Sequence, residues 1–324
     1  MAGAAHHSPT TARCVVVGKV SPEMAADAYL LANAYLEHLT DEDLRILAAD
    51  VPEVRHGTDA VRFVRGRPQL LSDLLDQPAV LAEVLSPSGP VESLVGPSPF
   101  LVFVAAVGRT AAEITTASYV SEWLGPKRRT PVFDVAGLRE FLSSPWRRLV
   151  LAELLGSYTH VHSGSVLVRG RRGLRRQRFS ELDPIRLASV LDAVPELERP
   201  GVYRRLGDLA LFLTGVFPDH TATHGLSDID RGRLLRSGRL RELEDPPRSA
   251  IPGFGDTSAV DLLDRLGRRW YKIAYDLVPP PVPAGVAVAG ELAERFSHAR
   301  RILNVVTDRY LFPFRSELFG VGGG

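Results

Sequence analysis

The sequence predicts a mainly α-helical protein of the α+β class, with a helical bundle-like core and a small β element. Apolar residues recur every three or four positions in most segments between clusters of Pro, Gly and Ser. Several of these segments open with a capping residue followed by proline or an acid. Only one stretch, near residues 165–180, has the pattern of a β-hairpin. A hydrophobic content of 45% over 324 residues is sufficient for a proper core.

Helix starts are predicted where a capping side chain precedes a proline or stands three residues before an acid. Four places have this pattern: Ser21 with Pro22, Thr40 with Asp43, Ser144 with Pro145, and Asp183 with Pro184. In the first helix the residues predicted to face the core are Ala25, Tyr29, Ala32 and Leu36. Further helices are predicted over residues 201–216, 228–237, 258–277 and 290–306.

Two stretches indicate β-structure. Residues 100–107 form an unbroken apolar run and are predicted to be a buried strand. Residues 166–168 and 174–179 flank the glycine-containing segment 169–173, which predicts a β-hairpin. Stretches rich in Pro, Ser or Gly are predicted to connect the elements over residues 86–99, 245–255 and 278–285.

The overall charge of +1 conceals a strong division along the chain. Residues 1–124 hold 8 basic and 15 acidic side chains, residues 125–205 hold 16 and 8, and the remainder hold 15 of each. We therefore predict an acidic N-terminal helical region (1–90), a basic central α+β region containing the hairpin (98–200), and a C-terminal helical region (201–324). The alternative is that all three form one continuous domain.

The basic charge is densest in the hairpin. Six arginines fall within ten residues: Arg169, Arg171, Arg172, Arg175, Arg176 and Arg178. A guanidinium group binds carboxylates and phosphates through paired hydrogen bonds. The cluster therefore fits an acidic protein surface, the phosphates of a nucleic acid, or ion pairs with the acidic N-terminal third. Because 36 of the 39 basic residues are arginine, as in proteins of GC-rich bacterial genomes, the choice of arginine over lysine favours none of these.

The leading hypothesis is a non-enzymatic regulatory or scaffold protein that contacts an anionic partner through its basic central surface. Nucleic-acid binding through the hairpin is the first alternative. The second alternative is a hydrolytic or metal-dependent enzyme around Asp208, His220 and His224. Asp208 lies in an apolar helical stretch, where a carboxylate either has a raised pKa or pairs with Arg204 or Arg205.

His220 and His224 are four residues apart, so on a helix they would share one face, as two metal ligands require. No glutamate lies between them as in the zinc-protease motif. The sequence also lacks the phosphate-binding loop, the dinucleotide-binding turn and the nucleophile elbow, and no cofactor is predicted.

The compartment is predicted from the cysteine count and from the length of the apolar runs. Cys14 is the single cysteine, so an intramolecular disulfide is excluded. The longest apolar runs, at residues 100–107 and 209–213, are far shorter than the roughly 20 residues that span a bilayer. We expect a cytoplasmic protein without a membrane segment. The sequence does not predict its oligomeric state.

Overall fold

The computed structural model describes residues 22–78, 82, 84–85, 96–125, 128–159, 163–170, 173–180, 182–223, 232, 234, 258–312 and 318–319. These residues form fourteen α-helices and two antiparallel β-hairpins, which confirms a mainly helical fold with a small β element. No helix within the described ranges is long and apolar enough to cross a membrane.

The helices and strands follow one another along the chain in this order. The helices before the arginine-rich hairpin are α1 (Pro22–His38), α2 (Asp41–Ala48), α3 (Pro52–Arg55), α4 (Ala60–Arg65), α5 (Leu71–Leu75), α6 (Pro99–Ile114), α7 (Val135–Ser143) and α8 (Pro145–Ser157). Those after it are α9 (Pro184–Ala188), α10 (Arg199–Gly215), α11 (Pro218–Thr223), α12 (Ala259–Asp276), α13 (Ala284–Glu294) and α14 (Phe296–Val306), which continues into the π-helical turn Thr307–Leu311. The strands are β1 (Val120–Gly125), β2 (Arg128–Val132), β3 (Ser163–Gly170) and β4 (Gly173–Ser180).

The helix starts predicted from capping patterns are confirmed. Thr40 and Asp43 form a reciprocal capping box at the start of α2. The side chains of Ser144 and Asp183 accept hydrogen bonds from backbone N–H groups in the first turns of α8 and α9. Satisfying these otherwise unpaired donors is what makes such residues reliable start signals.

The buried face of α1 agrees with the predicted one in part, since Ala32 is buried and Leu36 packs partly buried against the core, whereas Ala25 and Tyr29 are exposed. Tyr29 is 53% exposed, and the whole stretch from 25 to 30 faces solvent. The residues of this helix that are buried are Leu31, Ala32 and Tyr35. Among residues 25–38, the side chains that pack against the core lie in the second half of α1, so the apolar spacing of positions 25 and 29 does not indicate burial.

Two assignments from apolar patterns are wrong. Residues 100–107 are not a strand but part of α6, whose first N–H groups are capped by Ser98 and whose first residue is Pro99. A fully buried helix is apolar on all sides, so its sequence resembles a buried strand. The single helix predicted over 290–306 is two helices, α13 and α14, separated at Arg295.

One element was not predicted, and several predicted segments fall mostly outside the described residues. The hairpin β1–β2 was not predicted at all, because Pro131 and the charged residues Arg128 and Arg129 obscure the strand pattern. The helix predicted over 228–237 lies outside the described residues except at positions 232 and 234. The connections predicted at 86–99 and 245–255 also fall mostly outside the described ranges.

The core is built around the contact between α10 and α12. Phe212, Trp270 and Tyr271 are fully buried there. Close approach depends on glycine: a Cβ added at Gly207 would lie 2.8 Å from the Tyr271 ring, and one at Gly267 would lie 2.5 Å from the Phe296 ring on α14. Contacts join helices of all three charge-defined regions, since α1 touches α8 and α6 touches α14.

The first hairpin is fixed to α14 by buried polar groups. Glu122 of β1, only 4% exposed, accepts hydrogen bonds from the guanidinium groups of Arg300 and Arg301. The side-chain oxygen of Asn304 accepts from the backbone N–H of Trp123 at 3.0 Å. The side-chain nitrogen of Asn304 donates to the carbonyl oxygen of Gly215 at 2.6 Å. This residue therefore ties β1 to the C-terminal end of α10.

Candidate functional site

The arginine-rich segment forms the predicted hairpin. Its register sets Arg169 opposite Leu174 and Gly170 opposite Gly173, so that the two strands are joined across positions 171 and 172. Strand β4 also contacts α9, the helix that follows it in the chain. Arg171 and Arg172 themselves lie outside the described residues.

The register divides the arginine positions between the two faces of the ribbon. Directly opposed residues in an antiparallel pair lie on the same face, and the faces alternate along each strand. Arg176 is paired with Leu167 and Arg178 with Ser165, which puts both positions on the same face as Arg169. The opposite face holds Arg175, Val166, Val168 and Phe179. We call the face of Arg169, Arg176 and Arg178 the basic ribbon face.

Several acids of the N-terminal third are paired with arginines that do not belong to the hairpin. The carboxylate oxygens of Asp41 and Asp76 lie 2.9 Å and 3.0 Å from guanidinium nitrogens of Arg65 and Arg148. Three more acids are paired in the same way: Asp50 with Arg55, Glu113 with Arg109 and Arg309, and Glu122 with Arg300 and Arg301. These five of the fifteen acids in residues 1–124 are thus paired with arginines outside the hairpin.

Asp208 projects from α10 toward α12. The phenol of Tyr271 donates a hydrogen bond to its Oδ1 at 2.7 Å. Burial raises the pKa of Asp208 above its ordinary value, and the positive charges of Arg204 and Arg205 and the Tyr271 hydrogen bond oppose this. The expected arginines therefore act on the carboxylate, and Tyr271 supplies a hydrogen bond that the sequence did not predict.

A second carboxylate lies near this pair and extends it toward the surface. Glu153 of α8 has one oxygen 3.7 Å from a nitrogen of Arg204 and the other 3.3 Å from Nε2 of His38. The hydrogen bond to Glu153 raises the pKa of His38. We call Asp208, Tyr271, Arg204 and Glu153 the Asp208 cluster. A carboxyl group of raised pKa beside a phenol is suited to proton transfer.

The structure places His220 apart from this cluster. Asp208 lies seven residues before the end of α10, which is about 10 Å along the helix axis. His220 is an exposed residue of α11, a helix that contacts β1, where Ala222 abuts Gly125. His224 lies outside the described residues. In the ranges that the structure describes, no group of three His, Cys, Asp or Glu side chains is arranged to hold a metal ion.

Comparisons with protein families, with curated proteins and with solved structures find no match to this chain. A functional conclusion therefore depends on the geometry of the chain itself.

Proposed function

We propose that the chain is a binding protein, regulatory or scaffolding in role, that contacts an anionic macromolecule through the basic ribbon face. The observation that carries the proposal is the register of β3–β4, which places Arg169, Arg176 and Arg178 on one face of a two-stranded ribbon. Three arginine positions on one face suit a partner surface that repeats carboxylate or phosphate groups, since a guanidinium group binds such anions through paired hydrogen bonds.

The pairing of the N-terminal acids supports an external partner over an internal one. Asp41, Asp76, Glu113 and Glu122 are all engaged by arginines elsewhere in the chain. Each of these acids would have to exchange its partner in order to neutralise the hairpin. An anion from outside would leave these four ion pairs intact.

Nucleic acid is the alternative partner, and one feature favours it. The major groove of DNA admits a two-stranded β-ribbon. Strands β3 and β4 have eight residues each, so that the ribbon is about 27 Å long. Its arginines would contact the phosphate backbone and give binding that weakens steeply with salt.

The matched test compares Arg176→Gln with Arg175→Gln, neighbouring arginines on opposite faces of the same strand. Two fluorescent probes, poly-glutamate and a 20-base-pair DNA duplex, are titrated by anisotropy over a range of salt concentrations. We expect Arg176→Gln to weaken binding of one probe and to reduce its salt dependence by about one unit of log K against log salt. Arg175→Gln is expected to change binding much less.

The outcome also identifies the partner class. Binding of poly-glutamate supports the leading proposal, and preferential binding of the duplex supports the nucleic-acid alternative. If wild-type protein binds neither probe, or if the two variants behave alike, the basic ribbon face is not the contact surface.

Catalysis at the Asp208 cluster is a second candidate function, favoured by the raised pKa of Asp208 and its hydrogen bond from Tyr271. Its metal-dependent form requires His220 and His224 to bind an ion. Elemental analysis of the purified protein, with thermal unfolding in the presence and absence of EDTA, tests that form. Bound zinc, manganese or iron would support it, and a metal-free protein unaffected by EDTA would remove it.

A further inference from the structure

A cleft formed by residues that precede the arginine-rich hairpin in the chain is lined by three arginines. It lies between the turn after α5 and the helices α6, α7 and α8, and it has a volume of about 400 Å³. Arg109, Arg139 and Arg148 contribute to its wall, and among the described residues Asp76 is the one acid in that wall. The lining thus carries an excess of positive charge. Its volume falls within the range of small-molecule sites in proteins.

Arg139 is held in place without losing its charge. Its Nε donates to the carbonyl oxygen of Ile114 and its Nη2 to that of Ala117, both at 2.9 Å. These neutral acceptors at the end of α6 fix the guanidinium group. Because neither is a carboxylate, the full positive charge of the group remains available beside the cleft.

Arg148 has one donor for which the described part of the chain provides no acceptor. Its Nη1 donates to Oδ1 of Asp76 at 3.0 Å. Its Nε is buried and meets no hydrogen-bond acceptor among the described residues. A buried donor without an acceptor is costly, and it is satisfied when a ligand brings one.

Arg109 is only partly neutralised. Its Nε lies 3.3 Å from Oε1 of Glu113, and the same carboxylate also pairs with Arg309. One negative charge is therefore shared by two guanidinium groups. Positive charge is left over at Arg109 as well as at Arg139.

The cleft also offers apolar surface. Ala111, Ala112 and Leu142 line it beside the arginines. A smaller cavity of about 110 Å³ adjoins it and shares Asp76, Gly108 and Arg148 with it. Gly108 contributes no side chain to either wall.

We propose that this cleft binds a small organic anion, whose carboxylate or phosphate group is held by Arg109, Arg139 and Arg148 and whose apolar part lies against Leu142. Asp76 is then a built-in competitor, because it occupies Arg148 in the absence of the ligand. The site is independent of the basic ribbon face, which we propose binds a macromolecule.

The test measures binding of inorganic phosphate and of citrate by isothermal titration calorimetry and by thermal unfolding, with sodium chloride at the same ionic strength as the reference. We expect saturable binding of one or both anions and a higher midpoint of unfolding that chloride does not reproduce. Phosphate and citrate distinguish a phosphate ligand from a carboxylate ligand.

Two variants with opposite expected effects on anion affinity make the test specific. Arg109→Gln is expected to weaken anion affinity about tenfold, because it removes a charged donor at an exposed position. Asp76→Asn is expected to strengthen affinity severalfold, since it frees Arg148. Arg65→Gln, which removes an exposed and ion-paired arginine from α4, serves as the matched control and is expected to leave affinity unchanged.

Absence of saturable binding of either anion would overturn the proposal. An equal loss in Arg109→Gln and Arg65→Gln would also overturn it, because it would show an effect of net charge alone. Weaker binding in Asp76→Asn would show that the carboxylate does not compete with the anion.

Discussion

The phenol oxygen of Tyr271 lies 2.7 Å from Oδ1 of Asp208 and joins α12 to α10 where a glycine, Gly207, lets the ring approach the helix. Tyr271 is fully buried and Asp208 is partly buried, and burial raises the pKa of each. A short polar contact inside an apolar core gives the packing of the two helices a fixed register, because sliding either helix would leave a buried polar group unpaired.

Tyr271→Phe removes the donor of this bond. We expect it to lower the free energy of unfolding by about 1–3 kcal/mol, because the carboxyl group of Asp208 is left without its hydrogen bond. Denaturation by urea measures the change. Tyr275→Phe, one turn further along α12, is the control and is expected to be nearly neutral. Equal effects of the two changes would contradict the importance of the Asp208–Tyr271 bond.

Asp208→Asn tests the raised pKa of this carboxyl group. Between the ordinary pKa and the raised folded-state pKa, the unfolded chain has lost the proton that the folded chain retains. Stability contributed by this group therefore falls as pH rises through that window, by about 1.4 kcal/mol for each unit of the pKa difference. We expect the variant to lack this fall and to unfold at a higher temperature than wild type at pH 7. Unfolding midpoints from pH 3 to pH 8 that run parallel in both proteins would refute the raised pKa.

Gly267→Ala tests the close contact between α12 and its neighbours. The new methyl group would meet the Phe296 ring at 2.5 Å and the Ala210 side chain at 2.9 Å. Overpacking of this kind costs about 1–3 kcal/mol, which outweighs the gain of up to about 1 kcal/mol from better helix propensity. Gly201→Ala in α10 has open space around the new methyl group and is expected to stabilise the protein. Chemical denaturation of both variants should give changes of opposite sign.

Glu122→Gln tests the buried ion pair beneath the first hairpin. The side chains of Glu122 and Arg300 are 6% and 10% exposed, and neutralising the acid leaves the buried guanidinium group with its longer contact, 3.5 Å, to Oδ2 of Asp264. We expect a loss of about 3–5 kcal/mol in the free energy of unfolding. Glu42→Gln breaks an exposed pair with Arg45 and should cost much less, because solvent screens that pair. Similar losses of stability in both variants would mean that burial does not increase the contribution of the Glu122 ion pair to the free energy of unfolding.

Signals confined to one turn of the chain predicted the structure well. Thr40 with Asp43, Ser144 with Pro145, and Asp183 with Pro184 each mark a helix start, because capping depends on neighbours in sequence. The hairpin at 163–180 followed from apolar runs around a glycine-containing turn. The apolar run at 100–107 led to a wrong strand assignment, since a segment buried on all sides has the same apolar sequence pattern in a helix as in a strand.

The sites depend on residues that are distant in sequence and carry no local pattern. Tyr271 is 63 residues from Asp208, and no sequence pattern near either residue predicts their hydrogen bond. Arg109, Arg139 and Arg148 come from three helices and line one cleft only through the way those helices pack. In a chain with 36 arginines, these three do not stand out.

The hydrogen bond of Asn304 to β1 limits how this strand can pair with strands of other molecules. Its side-chain oxygen occupies the backbone N–H of Trp123, on a strand whose other neighbour is β2. A free N–H on an outer strand is a template for pairing with a strand from another molecule. Because the Trp123 N–H already donates a hydrogen bond to the Asn304 side chain of α14, β1 is protected at Trp123 against edge-to-edge aggregation.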